Sequence, residues 1–308
     1  MPSYLLFIIA SLIWGSTFWA ITQQLGQVAP AVSVAYRFGL AAACLFAWCI
    51  WRGHKIKLPW RQHRWLMLHG FCTFSLSYVC TYSSEQYVVS ALVAVLFSLM
   101  VIWSPILERI FLGRALSAQI WLAASVSIGG VILLFYPTLR ENFGSGHPLA
   151  PAELHHFVFG IALALTATLA STFGNLVVIK VRELNQDVLG TMAWAMAWGT
   201  FFISLYAIFK GESWSIPHTL QYWGALLYLS IFGSVIAFAC YFTLINRIGA
   251  QKTVFIGVIT PLISVLLSIQ LENYRPGWIE WLGMLLCLSG VAWAMLGKKV
   301  SPRLTAEN

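Results

Sequence analysis

Charge is scarce in this chain: 9% of its 308 residues are Asp, Glu, Lys or Arg, against about 25% in an ordinary soluble domain. Aspartate is nearly missing. Asp187 is the only one, which removes the paired aspartates of an intramembrane aspartyl protease, and no paired-carboxylate metal motif suits a prenyl transferase. The phosphate-binding pattern GxxxxGK[ST] is absent, so the chain carries no ATP-driven motor of that kind. Cysteine is present without any CxxC pair. Cys44, Cys49, Cys72, Cys80, Cys240 and Cys287 all fall inside apolar stretches, where they read as small packing residues. The seven histidines form no HExxH and no zinc-ligand spacing. We expect no metal and no cofactor. The amino end, Met1-Pro2-Ser3, lacks the basic cluster of a signal peptide, so the first apolar stretch is expected to remain as a span.

What fills the chain is hydrocarbon. Hydrophobic residues make up 59% of it, with a mean hydropathy of +0.79. The apolar stretches run over residues 4–21, 29–51, 65–82, 87–111, 116–136, 157–179, 188–209, 222–245, 254–271 and 278–296. Each has the ~20 residues that a helix rising 1.5 Å per residue needs to cross a bilayer core of about 30 Å. The predicted fold is an all-α integral membrane protein with ten transmembrane helices, and the lipid bilayer is its principal partner.

The net charge of +8 belongs to topology rather than to nucleic acid. Fourteen of the 18 basic residues, including Arg52, Arg61, Arg64, Arg109, Arg247 and Lys298, lie in alternate loops or the tail. The opposite loops carry Arg140, Lys210 and Arg275 with Glu85, Glu141, Glu153, Glu212, Glu272 and Glu280. By the positive-inside rule both termini are cytoplasmic. We therefore expect a multi-pass protein of the plasma membrane.

Shifting the chain by 160 residues lays Tyr78–Tyr136 on Phe238–Leu296, with Cys80 on Cys240, Ser90 on Ala250, Gly130 on Gly290 and Val131 on Val291. Each half holds five spans. An odd number inverts the second half, which predicts an inverted-topology repeat: residues 1–136, an outer linker over 137–156, residues 157–296, and a cytoplasmic tail at 297–308. Such repeats serve secondary transporters, whose site lies near the bilayer midplane between the halves.

Several residues are out of place in lipid. Arg37 stands about eight residues into the second span, about 12 Å below the outer surface; it either snorkels, pairs structurally, or holds an anionic substrate group in a cavity. Glu85, after Tyr82-Ser83-Ser84, either ends its helix, pairs with Arg37, or exchanges protons. Protons are therefore the candidate coupling ion. Ser11, Trp14 and Phe18 share a helix face, and Trp14 lies near the midplane, as a packing group or as an aromatic wall for a ligand. In the sixth span Ser171 and Asn175 share a face, which we place toward the cavity; Asn175 needs a partner. With Tyr82 these form the candidate substrate site. Pro105 and Pro261 interrupt spans four and nine, as plain kinks or gating hinges. Ala31, Ala35, Gly39, Ala43 and Ala47 recur every four residues as a packing seam.

Leu12-Ile13-Trp14-Gly15-Ser16-Thr17-Phe18 resembles the opening motif of the EamA-like branch of the drug/metabolite transporter superfamily. Tyr36-Arg37-Phe38, Glu85-Gln86-Tyr87-Val88-Val89-Ser90-Ala91-Leu92, Phe111-Leu112-Gly113, Gly130-Val131, Gly233-Ser234 and Pro261 follow in the family's order. The chain departs from the pattern at Arg114 and Val101, and in having Leu169-Ala170-Ser171 in span six. The resemblance implies a ten-span, five-plus-five fold that exports a small organic metabolite through a cavity between the halves. A channel, or a scaffold without cargo, is the alternative.

Overall fold

The computed structural model describes the chain apart from residues 55, 114–116, 145–150, 185–187, 249–252, 254–255 and 297–308. Arg114, the tail and the glycine- and serine-rich middle of the expected linker lie outside the described residues. The described residues are helical, without strand.

Helices α1 (Ser3–Thr22) and α2 (Pro30–Trp51) are followed by α3, which runs from Trp60–His69 through Gly70–Ser77 to Tyr78–Ser84. Next come α4 (Ser90–Ser98, then Met100–Leu112), α5 (Ala118–Gly144), α6 (Pro151–Leu184) and α7 (Val188–Phe209). Helix α8 joins Leu220–Leu227, Tyr228–Ile236 and Ala237–Ile248; α9 is Ile256–Leu271 and α10 is Trp278–Leu296. Among the described residues eight helices are long and apolar enough to cross a membrane, and α9 is a shorter apolar helix. Large apolar side chains such as Ile8, Trp121, Ile132, Phe201 and Leu285 face outward, as a surface solvated by lipid requires. This is a multi-pass membrane protein.

Four expectations change. The linker over 137–156 is largely helix, because α5 continues through Pro137 to Gly144 and α6 starts at Pro151. The seam on α2 holds only at its first half: Ala31 and Ala35 are buried, whereas Ala43 and Ala47 are exposed. The buried face of α2 instead continues through Phe38, Ala41, Leu45 and Cys49. Span four breaks at Leu99 rather than at Pro105. A proline lacks the donor for the carbonyl four residues back and crowds it, and the chain relieves this one turn upstream, where both Ile102 and Trp103 donate to Leu99 O at 2.9 Å. Helix α9 passes through Pro261 without a break.

The helices pair in a regular way. Helix α5 packs along α10 and α2 along α7; α1 lies against α8 and α9, and α6 against α3 and α4. The middles of α3 and α8 are π-helical, over Gly70–Ser77 and Tyr228–Ile236. The first half of α4 packs on α9, while Met100–Leu112 turns toward α6.

Glycine sets the closest approach. A Cβ at Gly130 would lie 2.3 Å from the Cys287 amide nitrogen, and one at Gly290 would lie 2.4 Å from Ser127 Oγ and 2.8 Å from Ala123 O. Such distances leave no room for a methyl group. Gly130→Leu is expected to destabilise the fold by overpacking, by about 1–3 kcal/mol, and to lower the thermal unfolding midpoint in detergent. Gly129→Leu, where nothing lies within 4 Å, should leave that midpoint unchanged; equal midpoints for the two variants would refute this account of the crossing.

Candidate functional site

Arg37 is 1% exposed although it carries a full charge in an apolar bundle, where insertion scales set the penalty at about 2.5–3.5 kcal/mol. Neutral groups from separate helices absorb that charge. Arg37 Nε donates to Ser234 Oγ at 3.2 Å, and Nη1 donates to the Tyr82 hydroxyl at 3.4 Å. The Tyr82 hydroxyl in turn donates to Gln24 Oε1 at 3.0 Å. The guanidinium carbon stands 4.7 Å from the Tyr78 ring centroid and 5.2 Å from that of Phe38, within reach of the ring faces' negative potential. Neither snorkelling nor an ion pair describes this arrangement.

The winding of α8 makes part of it possible. Ser234 Oγ donates at 2.9 Å to Leu229 O, five residues back, a carbonyl that a π turn brings into line. Beside it, a Cβ on Gly233 would sit 2.9 Å from Thr17 Cγ2 and 3.3 Å from Arg37 Nη2, so glycine admits the guanidinium.

Glu85 lies one turn beyond Tyr82, just past the end of α3, and is 7% exposed. Neither of its oxygens accepts a hydrogen bond from the protein, and the same holds for the Gln24 amide nitrogen as a donor. Burial pushes the Glu85 carboxyl well above the usual carboxylate range; Glu272 adds to the rise and Arg37 opposes it. A polar cleft of about 320 Å³ lies at this end, lined by Gly26–Pro30, Gln86, Glu212, Ser213 and Ser215.

On the other side of Arg37 lies an aromatic cluster. Phe38 meets Phe74 at 5.0 Å and Tyr78 at 4.6 Å between centroids, and Phe74 meets Phe238 at 6.0 Å. Trp14, half-buried, stands 5.1 Å from both Phe238 and Tyr241 and donates Nε1 to Gly233 O at 3.2 Å. Trp14 thus packs against α8 and also borders the Arg37 cluster. Ser11 is buried with its hydroxyl unpartnered, and Phe18 is set edge-on against Phe97 of α4 at 5.5 Å.

On α6 the candidates occupy a narrow stripe. Gly160, Ala167 and Gly174 face α3, whose Ser84 and Ser77 donate to the first two carbonyls at 2.8 Å. Ile161 and Leu165 pack into the apolar cluster that contains α4. Between those two faces lie Ser171, buried, and Asn175, exposed.

The structure therefore joins Arg37 and Tyr82 directly, with Glu85 as an electrostatic neighbour, and sets Trp14 one layer away. Ser171 and Asn175 stand on another helix. Sequence reading missed Gln24, Tyr78, Ser234 and Glu272. Ser234 lay in the quoted Gly233-Ser234 motif, but nothing in one sequence pairs it with Arg37 across 197 residues.

Tyr82→Phe removes one hydroxyl and leaves two buried groups, Arg37 Nη1 and Gln24 Oε1, without it. We expect a loss of about 1–3 kcal/mol, read as a lower unfolding midpoint. The exposed Tyr87→Phe is the control, and an unshifted midpoint for Tyr82→Phe would refute the bonding scheme.

The sequence pattern of the EamA-like transporter family matches residues 1–136 and 158–296. The inner membrane transporter YedA of Escherichia coli strain K12 is 25% identical over 295 residues, covering 94% of this chain and 90% of that protein. A transporter from Archaeoglobus fulgidus is 24% identical, covering 94% and 96%. PagO of Salmonella typhimurium is 24% identical, covering 89% and 85%. A solved crystal structure shares the fold with a TM-score of 0.63 at 19% identity, over 95% of this chain and 96% of that one. The chain belongs to the EamA-like transporter family, and it is a membrane transporter.

Proposed function

We propose that this protein is a secondary transporter that exports a small organic metabolite, an amino acid or related compound, by alternating access across a bacterial inner membrane. The observation that carries the reading is the Arg37 cluster: α2 and α3 of one half and α8 of the other meet on a buried cation, beside aromatic rings that border the divergence of α4. The ten segments act as two inverted five-helix repeats. Three features support that arrangement: π turns in both α3 and α8, the matched helix pairs, and the reciprocal contacts Gly130–Cys287 and Gly290–Ser127, in which the 160-residue shift carries Gly130 onto Gly290 and Ser127 onto Cys287.

In this reading both termini are cytoplasmic, and the side where α4 leaves α9 is open to the cytoplasm. Substrate enters past Asn175, Ser171, Ser11 and Trp14, with Phe18 behind them. Its anionic group reaches Arg37 and Tyr82. Glu85 exchanges the coupling proton, because a buried carboxyl with no hydrogen-bond donor is held most cheaply in its neutral form. Pro105, through the break at Leu99, is the bend in α4, and Pro261 marks the matching place on α9. A ligand drives the cycle only by binding the two states unequally.

Counterflow by the purified protein in liposomes, against a metabolite panel at several pH values, tests this directly. A transported solute should exchange at a saturable rate, and Arg37→Gln should lower that rate at least roughly tenfold, a loss of about 1.4 kcal/mol. Conduction at channel rates, or no flux of any solute, would reject the exporter reading; normal flux in a well-expressed Arg37→Gln protein would reject the role of Arg37. Because burial holds the Glu85 carboxyl well above the usual carboxylate range, Glu85→Gln is expected to flatten the pH profile of transport on the alkaline side of that range. An unaltered profile would remove Glu85 from coupling.

A further inference from the structure

Opposite the divergence of α4, the ends of α4 and α9 are joined by a small buried cluster. Ser90, the first residue of α4, and Ser268 of α9 are 1% and 0% exposed. Ser90 Oγ donates to Glu272 Oε2 at 2.8 Å and lies 3.0 Å from Ser268 Oγ. A hydroxyl has one proton to give, so Ser268 donates to Ser90 and Ser90 to the carboxylate. The backbone fixes the acid in place. The amides of Glu272 and Tyr274 both bond to Ser268 O, at 3.0 and 3.1 Å, across a left-handed Asn273 at φ 54°. The loop beyond is stiffened by Tyr274 and Gly277, which both donate to Glu280.

We propose that Ser90, Ser268 and Glu272 form the outer latch of the transport cycle, bonded while the cytoplasmic side is open and released when substrate leaves. The proposal rests on the alternating-access reading and adds to it the residues that hold the outer side shut. Two observations support a bond that breaks. The tight α4–α9 contact lies along Ser90–Ser98, where Val93, Ala94, Val95 and Leu96 are each 0% exposed, so opening the outer side requires parting these ends. Below the cluster on α9, Ser264 and Thr260 repeat at four-residue spacing with buried hydroxyls that have no partner. A helical Ser or Thr ordinarily bonds back to its own turn. Parting the helices would turn this stripe into the polar wall of an exit path.

The test uses Ser264→Cys as a reporter, in right-side-out vesicles with a membrane-impermeant thiol reagent. The parent should react slowly. Ser90→Ala and, separately, the near-isosteric Glu272→Gln should each raise the labelling rate about fivefold or more by shifting a two-state population. A Ser90→Cys/Ser268→Cys pair, once oxidised, should abolish both labelling and counterflow, and reduction should restore both. Unchanged labelling in both single variants, or full counterflow in the oxidised pair, overturns the latch. Because labelling needs no substrate, the two readings separate: raised labelling without any flux upholds the latch against the exporter reading, and flux with unchanged labelling does the reverse.

Discussion

A guanidinium buried in an apolar bundle must be satisfied from all sides, and Arg37 is satisfied only when four parts of the chain converge. Tyr82 and Tyr78 come from α3, Ser234 from α8, Phe38 from its own helix, and Gln24 braces Tyr82 from the end of α1. None of these partners is an anion. The charge is therefore distributed over hydroxyls and ring faces rather than cancelled, as the proposed anion-binding role requires. A carboxylate hydrogen-bonded to Arg37 would have closed the cluster into a structural pair; Glu85 stands near without that bond.

The helix crossings suit the two-state cycle proposed above. Without hydrophobic drive between helices in lipid, close association depends on small residues and backbone approach. Gly130, Gly283 and Gly290 provide this between α5 and α10, and Gly70 and Gly199 provide it between α3 and α7. Those contacts are tight and run largely through the backbone. The contact of α4 with α9 is apolar along Ser90–Ser98 and ends in hydroxyls and a carboxylate, whose bonds exchange readily for water. Rigid seams and breakable ends are the physical division that a rocking transporter needs.

Much of the fold was legible because lipid as solvent writes itself into every span: α7 and α10 begin and end at the residues expected, Val188–Phe209 and Trp278–Leu296. Other features leave no local mark. The π turns contain no proline and no distinctive spacing, and the helical ends of the linker were hidden by Pro137, Gly144 and Pro151, which ordinarily stop helices. The small-residue stripe on α2 misled beyond Gly39, because periodicity identifies a face but not how far a partner follows it. Glu272 was read as a loop acid because its partner Ser90 is 182 residues away.

In the proposed cycle this conformation is open to the cytoplasm on the side where the second half of α4 leaves α9, and Asn175 reports on that most directly. In a Cys44→Ala background, which removes the one cysteine not buried, Asn175→Cys can be exposed to an impermeant thiol reagent from either membrane face. The account predicts rapid labelling in inside-out vesicles and slow labelling in right-side-out ones. Labelling from the outside alone, or from neither side as for a lipid-facing residue, would contradict it.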